Sequence, residues 1–197
     1  MAHTHRLTAR DGGLLIVDLQ RKLVDLVPQG ARVVANAARL IDAAQALAVP
    51  VWATEQYPKG LGPTVETIAE RVPHRPSKTG FSCCSNAEIL EQILARGLRH
   101  LTLAGIEAHV CIAQTALDLL RHGITVQVVA DAVASRADLD CAIALRRLEH
   151  AGAILSTTEA AMFEWVESSD HPAFKTISAL VKAGDRLSAT SQERRSE

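Results

Sequence analysis

Apolar residues along the chain fall into two alternating spacings. Short, nearly unbroken apolar runs at residues 13–18, 49–54, 101–105, 124–130 and 153–156 have the length and composition of strands buried on both faces. Between them, apolar positions recur at helical intervals. Residues 30–47 do so at Val33, Val34, Ala37, Leu40, Ile41, Ala44 and Leu47, which predicts a helix. The same spacing predicts helices at 64–70, 86–97, 157–167 and 172–183, and a further one at 138–150 with Asp138 as its N-cap. Residues 24–28, 55–63, 71–80 and 131–137 read as loops, the second carrying two prolines and two glycines. Strands alternating with helices from end to end predict an α/β fold. We expect a single three-layer α/β/α domain over residues 13–183, on a mostly parallel, doubly wound sheet of about six strands. Residues 1–12 form an arm before it, and residues 184–197 a tail expected to be disordered.

Composition narrows the function classes. The 197 residues suffice for a substantial core without staples. A net charge of −1 offers no electrostatic footprint for nucleic acid or an anionic membrane, and 3% aromatic residues leave little to stack bases on. The expectation is therefore no nucleic acid and no membrane partner. Cys83, Cys84, Cys111 and Cys141 have neither metal-site nor disulfide-framework spacing, which points to a reducing compartment. No apolar leader precedes residue 13, and the reading is cytoplasmic, with an organelle left open.

The candidate chemistry centres on residues 101–120. An apolar run ends at Gly105, and Cys111 follows in what reads as the first turn of a helix. Unpaired N–H groups and the positive end of the helix dipole there favour thiolate over thiol, and the thiolate is the nucleophilic form. Asp18 ends the first strand among Leu14 to Val17 and Leu19, a setting that suits a general base. If the sheet starts at its centre and winds both ways, Asp18 and Cys111 meet where strand order reverses. Each also has an ordinary reading: Cys111 as inert packing, Asp18 as a strand-end cap. Dinucleotide-binding, P-loop and nucleophile-elbow motifs are absent from the sequence.

Asp18 in LLIVDLQ, Lys78 in KTGFS and Cys111 in GIEAHVCIAQT, in that order, resemble the Asp–Lys–Cys triad of the isochorismatase-like cysteine hydrolases, relatives of nicotinamidase. TEQYPKGLGPTV and LLRHGITVQVVADAVASR add a likeness to the small isochorismatase domain-containing proteins. The resemblance implies that Asp18 takes the proton of Cys111 and that Lys78 holds the ion pair. It also implies a cis peptide at Ile106–Glu107 and an oxyanion hole from the backbone N–H groups of Glu107 and Cys111. On its own Lys78 would read as a solvated loop lysine. Pocket candidates are Gln20, Glu55, Gln56, Tyr57, Phe81, Ile106 and His109, with Glu55, Gln56 and Tyr57 equally readable as a loop tied by its own hydrogen bonds. Ser135-Arg136 resembles a loop near the site, or a surface ion pair. Cys83, Cys84 and Cys141 read as packing.

Two departures from the family limit what carries over. The histidines that hold a metal in nicotinamidases have no counterpart in TEQYPKGLGP, so no metal and no cofactor is expected. Isochorismatases proper lack the cysteine, which argues against vinyl-ether hydrolysis. The resemblance points to a metal-independent hydrolase cleaving a C–N bond of a small amide through a thioester, in a homo-oligomer (dimer, tetramer or larger). The alternative is a non-catalytic or redox-sensing oligomer that uses the same thiol.

Overall fold

The computed structural model describes residues 6–193, with side chains through residue 184. Its strands are β1 (Gly12–Val17), β2 (Val51–Gln56), β3 (Ser77–Lys78), β4 (His100–Ile106), β5 (Thr125–Ala134) and β6 (Ile154–Ser156). They form one sheet in the order β3-β2-β1-β4-β5-β6, every pair parallel. The helices are α1 (Arg21–Leu26), α2 (Gly30–Ala46), α3 (Pro58–Leu61), α4 (Glu66–Ala69), α5 (Ala87–Ala95), α6 (Ala113–Arg121), α7 (Asp138–His150), α8 (Thr158–Val166) and α9 (Phe174–Glu193). No helix among the described residues is long and apolar enough to cross a membrane.

Successive side chains of a strand point to opposite faces, so a strand covered on both sides must be apolar throughout. In β1, Leu14 and Ile16 join a core with α2, α4, α8 and α9, while Leu15 and Val17 join a second core with α5, α6 and α7. Ala37, Ala38, Ala43 and Ala44 of α2 are buried in the first of these. β1 pairs with β2 on one side and β4 on the other, and Val17 stands opposite Gly105. The order thus reverses between β1 and β4, as the winding argument anticipates.

The structure revises several element readings. Residues 24–28, expected as loop, lie largely in α1, anchored by buried Val24 and by backbone bonds back to Gln20. Glu55 and Gln56 extend β2, because Ser77–Lys78 adds a short edge strand beside them within the expected 71–80 loop. Residues 131–134 continue β5, since a register irregularity past Leu103 lets Gly105 and Ile106 pair with Val133 and Ala134. Ala137, not Asp138, is the N-cap of α7, and the Asp138 carboxylate accepts instead from Gln29 Nε2 at 3.3 Å. The tail expected from residue 184 falls mostly outside the described side chains. The backbone is helical to Glu193, and residues 194–197 lie outside the described residues.

Gly105 adopts φ +128°, a region essentially closed to side chains, and a Cβ there would overlap the Val17 carbonyl. β1 and β4 come this close immediately behind Asp18. Gly105→Ala is expected to destabilise the protein by about 3 kcal/mol, read as a lower urea midpoint at unchanged slope.

Candidate active site

Asp18 leaves β1 with φ 52°, the left-handed conformation that short acidic side chains tolerate best and that gathers at functional sites. Its side chain is fully buried. Lys78, at the end of β3, reaches it across the mouth of the sheet: Nζ lies 2.7 Å from Asp18 Oδ2. The remaining donors of that ammonium go to Gln56 Oε1 at 2.7 Å and the Phe81 carbonyl at 2.9 Å. Three N–H bonds are all a lysine has, so every one is committed. Burial is the largest single influence on the pKa of Lys78 and would lower it. The Asp18 charge, the two nearby cysteines Cys83 and Cys111 and the Asp18 hydrogen bond together outweigh it and hold the group above its ordinary value. Asp18 Oδ1 accepts from Thr54 Oγ1 at 2.8 Å.

Cys111 stands in a π-helical turn, Ala108–Ile112, between the cis Ile106–Glu107 peptide and α6. Val110 N and Ile112 N both donate to the Glu107 carbonyl, which widens the turn; such turns recur at functional sites. The thiol is buried, and the charges of both Asp18 and Lys78 act on it. Here the sequence reading is corrected. Burial pushes the Cys111 thiol well above the ordinary cysteine range, and the Asp18 carboxylate pushes it further; Lys78 opposes both without prevailing. A helix-dipole argument counts only local N–H groups, and here desolvation and a neighbouring anion are larger. The resting group is a thiol in the field of a carboxylate.

Cys83 packs in the second core as expected and has polar neighbours besides: its Sγ lies 3.5 Å from Thr54 Oγ1, and its N–H donates to Thr115 Oγ1 at 2.9 Å. Burial pushes its thiol up to about 12, with Asp18 adding to the rise and Lys78 opposing it. Thr54 and Cys83 thus adjoin the Asp18–Lys78 pair, and neither was singled out from the sequence. Thr54 had a usable signal, since it lies near the carboxyl end of the strand beside β1. Cys83 had none.

The pocket candidates separate into braces and open positions. Gln20 is wholly engaged: Nε2 donates to the Gln56 and Gly62 carbonyls, and Oε1 accepts from Gln56 N at 2.7 Å. Glu55 accepts from Thr64 N at 2.9 Å and Thr64 Oγ1 at 2.7 Å, and it pairs with Arg75. Burial alone would raise its pKa, yet these bonds hold it below the ordinary value. Gln56 positions Lys78, and its Nε2 donates to the Thr79 carbonyl at 2.8 Å. Ile106 is buried at the end of β4. Tyr57 and Phe81 are exposed, and half-buried His109 pairs through Nδ1 with Ser135 Oγ at 2.9 Å. Glu107 Oε2 accepts from both the backbone N and the Nε of Arg136, each at 3.0 Å, so the Ser135-Arg136 loop ties down the residue that precedes the turn. Cys84 and Cys141 are partly buried, and burial raises both thiols.

A cavity of about 250 Å³ lies beside Lys78, lined by Ser77, Thr79, Gly80, Ser85 and Asn86; a larger one, about 400 Å³, sits around Trp52 at the start of β2. Neither is lined by Cys111. Among the described residues, no three His, Cys, Asp or Glu side chains gather as a metal-ligand set.

Residues 13–160 match the isochorismatase domain. Isochorismatase domain-containing protein 2 of Danio rerio is 42% identical over 182 residues, 92% of each chain. The fold superposes on the MAR1 ribonuclease of Caenorhabditis elegans with TM-score 0.84 at 41% identity, covering 90% of this chain and 92% of that one. It also superposes on YcaC of Escherichia coli, an octameric hydrolase of unknown specificity, with TM-score 0.84 at 25% identity over 98% and 99% of the two chains. A parallel sheet that reverses at an acid-bearing strand end, matched along most of its length by these relatives, places the chain in the isochorismatase domain family.

Proposed function

We propose that the chain is a cysteine hydrolase that cleaves the C–N bond of a small amide, with Asp18, Lys78 and Cys111 as its catalytic group and no metal in the reaction. The observation that carries this is the buried Asp18 carboxylate that a buried ammonium holds at 2.7 Å, with the buried Cys111 thiol in the field of both charges. Sγ attacks the carbonyl carbon while its proton passes to Asp18, so no free thiolate is needed beforehand. The C–S bond forms, and the carbonyl oxygen takes up negative charge facing the N–H groups of Glu107 and Cys111. Collapse breaks the C–N bond, and the amine leaves with the proton from Asp18. Water then attacks the thioester, Asp18 takes its proton, and thiol and carboxylic acid are released. Lys78 has no N–H left for the substrate, so its part is to keep Asp18 ionised and aimed.

A hydrolase among the relatives supports the reaction class, and an octamer among them supports a homo-oligomer here. Another relative bears the name ribonuclease. The site described here is a thiol–carboxylate pair with its lysine committed internally, which favours an uncharged acyl substrate over a phosphodiester.

The test is a panel of small primary amides and a single-stranded RNA, offered to wild type and Cys111→Ala. Ammonia release by wild type alone, with an acyl mass on Cys111 after acid quench, is expected. RNA cleavage, or amide turnover that survives Cys111→Ala, would overturn the reading.

A further inference from the structure

Helix α7 buries only Ala144 and Leu148. At about 100° per residue these define its inner face, and the opposite face carries Leu139 and Ile143, 72% and 51% exposed. Arg146 continues that stripe, with Asp140 and Arg147 along one flank, and all three are exposed. The acid stands toward the N-terminal end of the stripe and the two bases toward the C-terminal end. Leu26, also exposed, lies three residues before Gln29, which hydrogen-bonds to Asp138 at the head of α7.

We infer that this face of α7 is an isologous contact surface, and that its partner is a second copy of this chain. The charge order selects that occupant. Two α7 faces turned antiparallel about a two-fold axis near Ile143 bury Ile143 against its counterpart and lay Leu139 along the aliphatic stems of Arg146 and Arg147 of the other copy. The same rotation sets Asp140 of each copy opposite Arg146 and Arg147 of the other and opposes the two helix dipoles. A parallel arrangement would set like charges together.

The contact also reaches the candidate active site. His109, in the turn that carries Cys111, has Nε2 3.9 Å from Asp140 Oδ2 and Nδ1 on Ser135. A second copy seated on Asp140 therefore stands beside His109.

Sedimentation of the full chain tests this with two opposite charge reversals, Asp140→Lys and the pair Arg146→Glu/Arg147→Glu. In either variant alone the rotated face meets like charge, so the assembly mass should fall to half that of wild type. The dissociation constant should rise by about a hundredfold or more. An equimolar mixture of the two variants should regain the wild-type mass, because each reversed face then meets its complement. Circular dichroism on each variant separates a lost contact from a lost fold. The proposal is overturned by a wild type that stays monomeric up to about 100 µM, by reversals that leave the mass unchanged, or by a mixture that fails to reassemble.

Discussion

Asp18→Asn is expected to change Cys111 in opposite directions in two assays. Alkylation by iodoacetamide at a fixed pH should become faster, while amide turnover falls by about 10²–10⁴-fold. The Cys111 thiol is raised first by burial and then by the Asp18 charge, with Lys78 opposing. Asparagine removes the raising charge and leaves the lowering one, so the thiolate fraction grows. It also removes the proposed acceptor of the thiol proton, and turnover suffers. In wild type the sign is the reverse: alkylation of Cys111 should still be climbing through pH 9, with no plateau near neutrality. A plateau near pH 7, or parallel losses of alkylation and turnover in Asp18→Asn, would show a thiolate already formed at rest and would remove the general-base role. Site-resolved mass spectrometry is required, because Cys83, Cys84 and Cys141 must be counted separately.

Lys78→Met carries the second large effect. It strands the Asp18 carboxylate in a site without solvent, with the Thr54 hydroxyl still donating to it. Breaking a buried pair from one side costs about 3–5 kcal/mol, most of it the unpaired charge. Chemical denaturation should show that loss, and the double variant Asp18→Asn/Lys78→Met should recover much of it. Alkylation of Cys111 should slow, since the one charge that lowers its pKa is gone. The raised pKa of Lys78 fixes the pH sense. The pair's contribution is fully present at neutral pH and is lost only as pH rises through that raised value. A single variant as stable as wild type would mean that the pair contributes little.

These effects depend on contacts of very different sequence range, which explains what was legible beforehand. Asp18 and Cys111 could be brought together from the chain alone, because each follows an apolar run and parallel winding places those runs side by side. The charge state of Cys111 could not, because it depends on burial and on a carboxylate from another strand. Gln20, Glu55 and Gln56 were marked from the sequence as pocket candidates. Which of them brace a loop and which one holds the lysine follows from bonds such as Gln20 Nε2 to Gly62 O, across 42 positions. The N-cap of α7 moved by one residue because the Asp138 carboxylate found a tertiary partner in Gln29.

The sequence by itself determined the strand–helix alternation, the doubly covered parallel sheet and the strand ends where chemistry would gather. Those properties follow from which faces must be apolar, and neighbouring residues encode that through a period of two or of 3.6. Only the tertiary structure decided that Lys78 is buried with all its donors engaged, that Thr54 and Cys83 adjoin Asp18, and that Cys111 rests as a thiol. The bonds responsible join Asp18 to Lys78 across 60 positions, Asp18 to Thr54 across 36 and Lys78 to Gln56 across 22. No local periodicity spans such separations, and the electrostatics of a buried group come from whatever the fold carries to it.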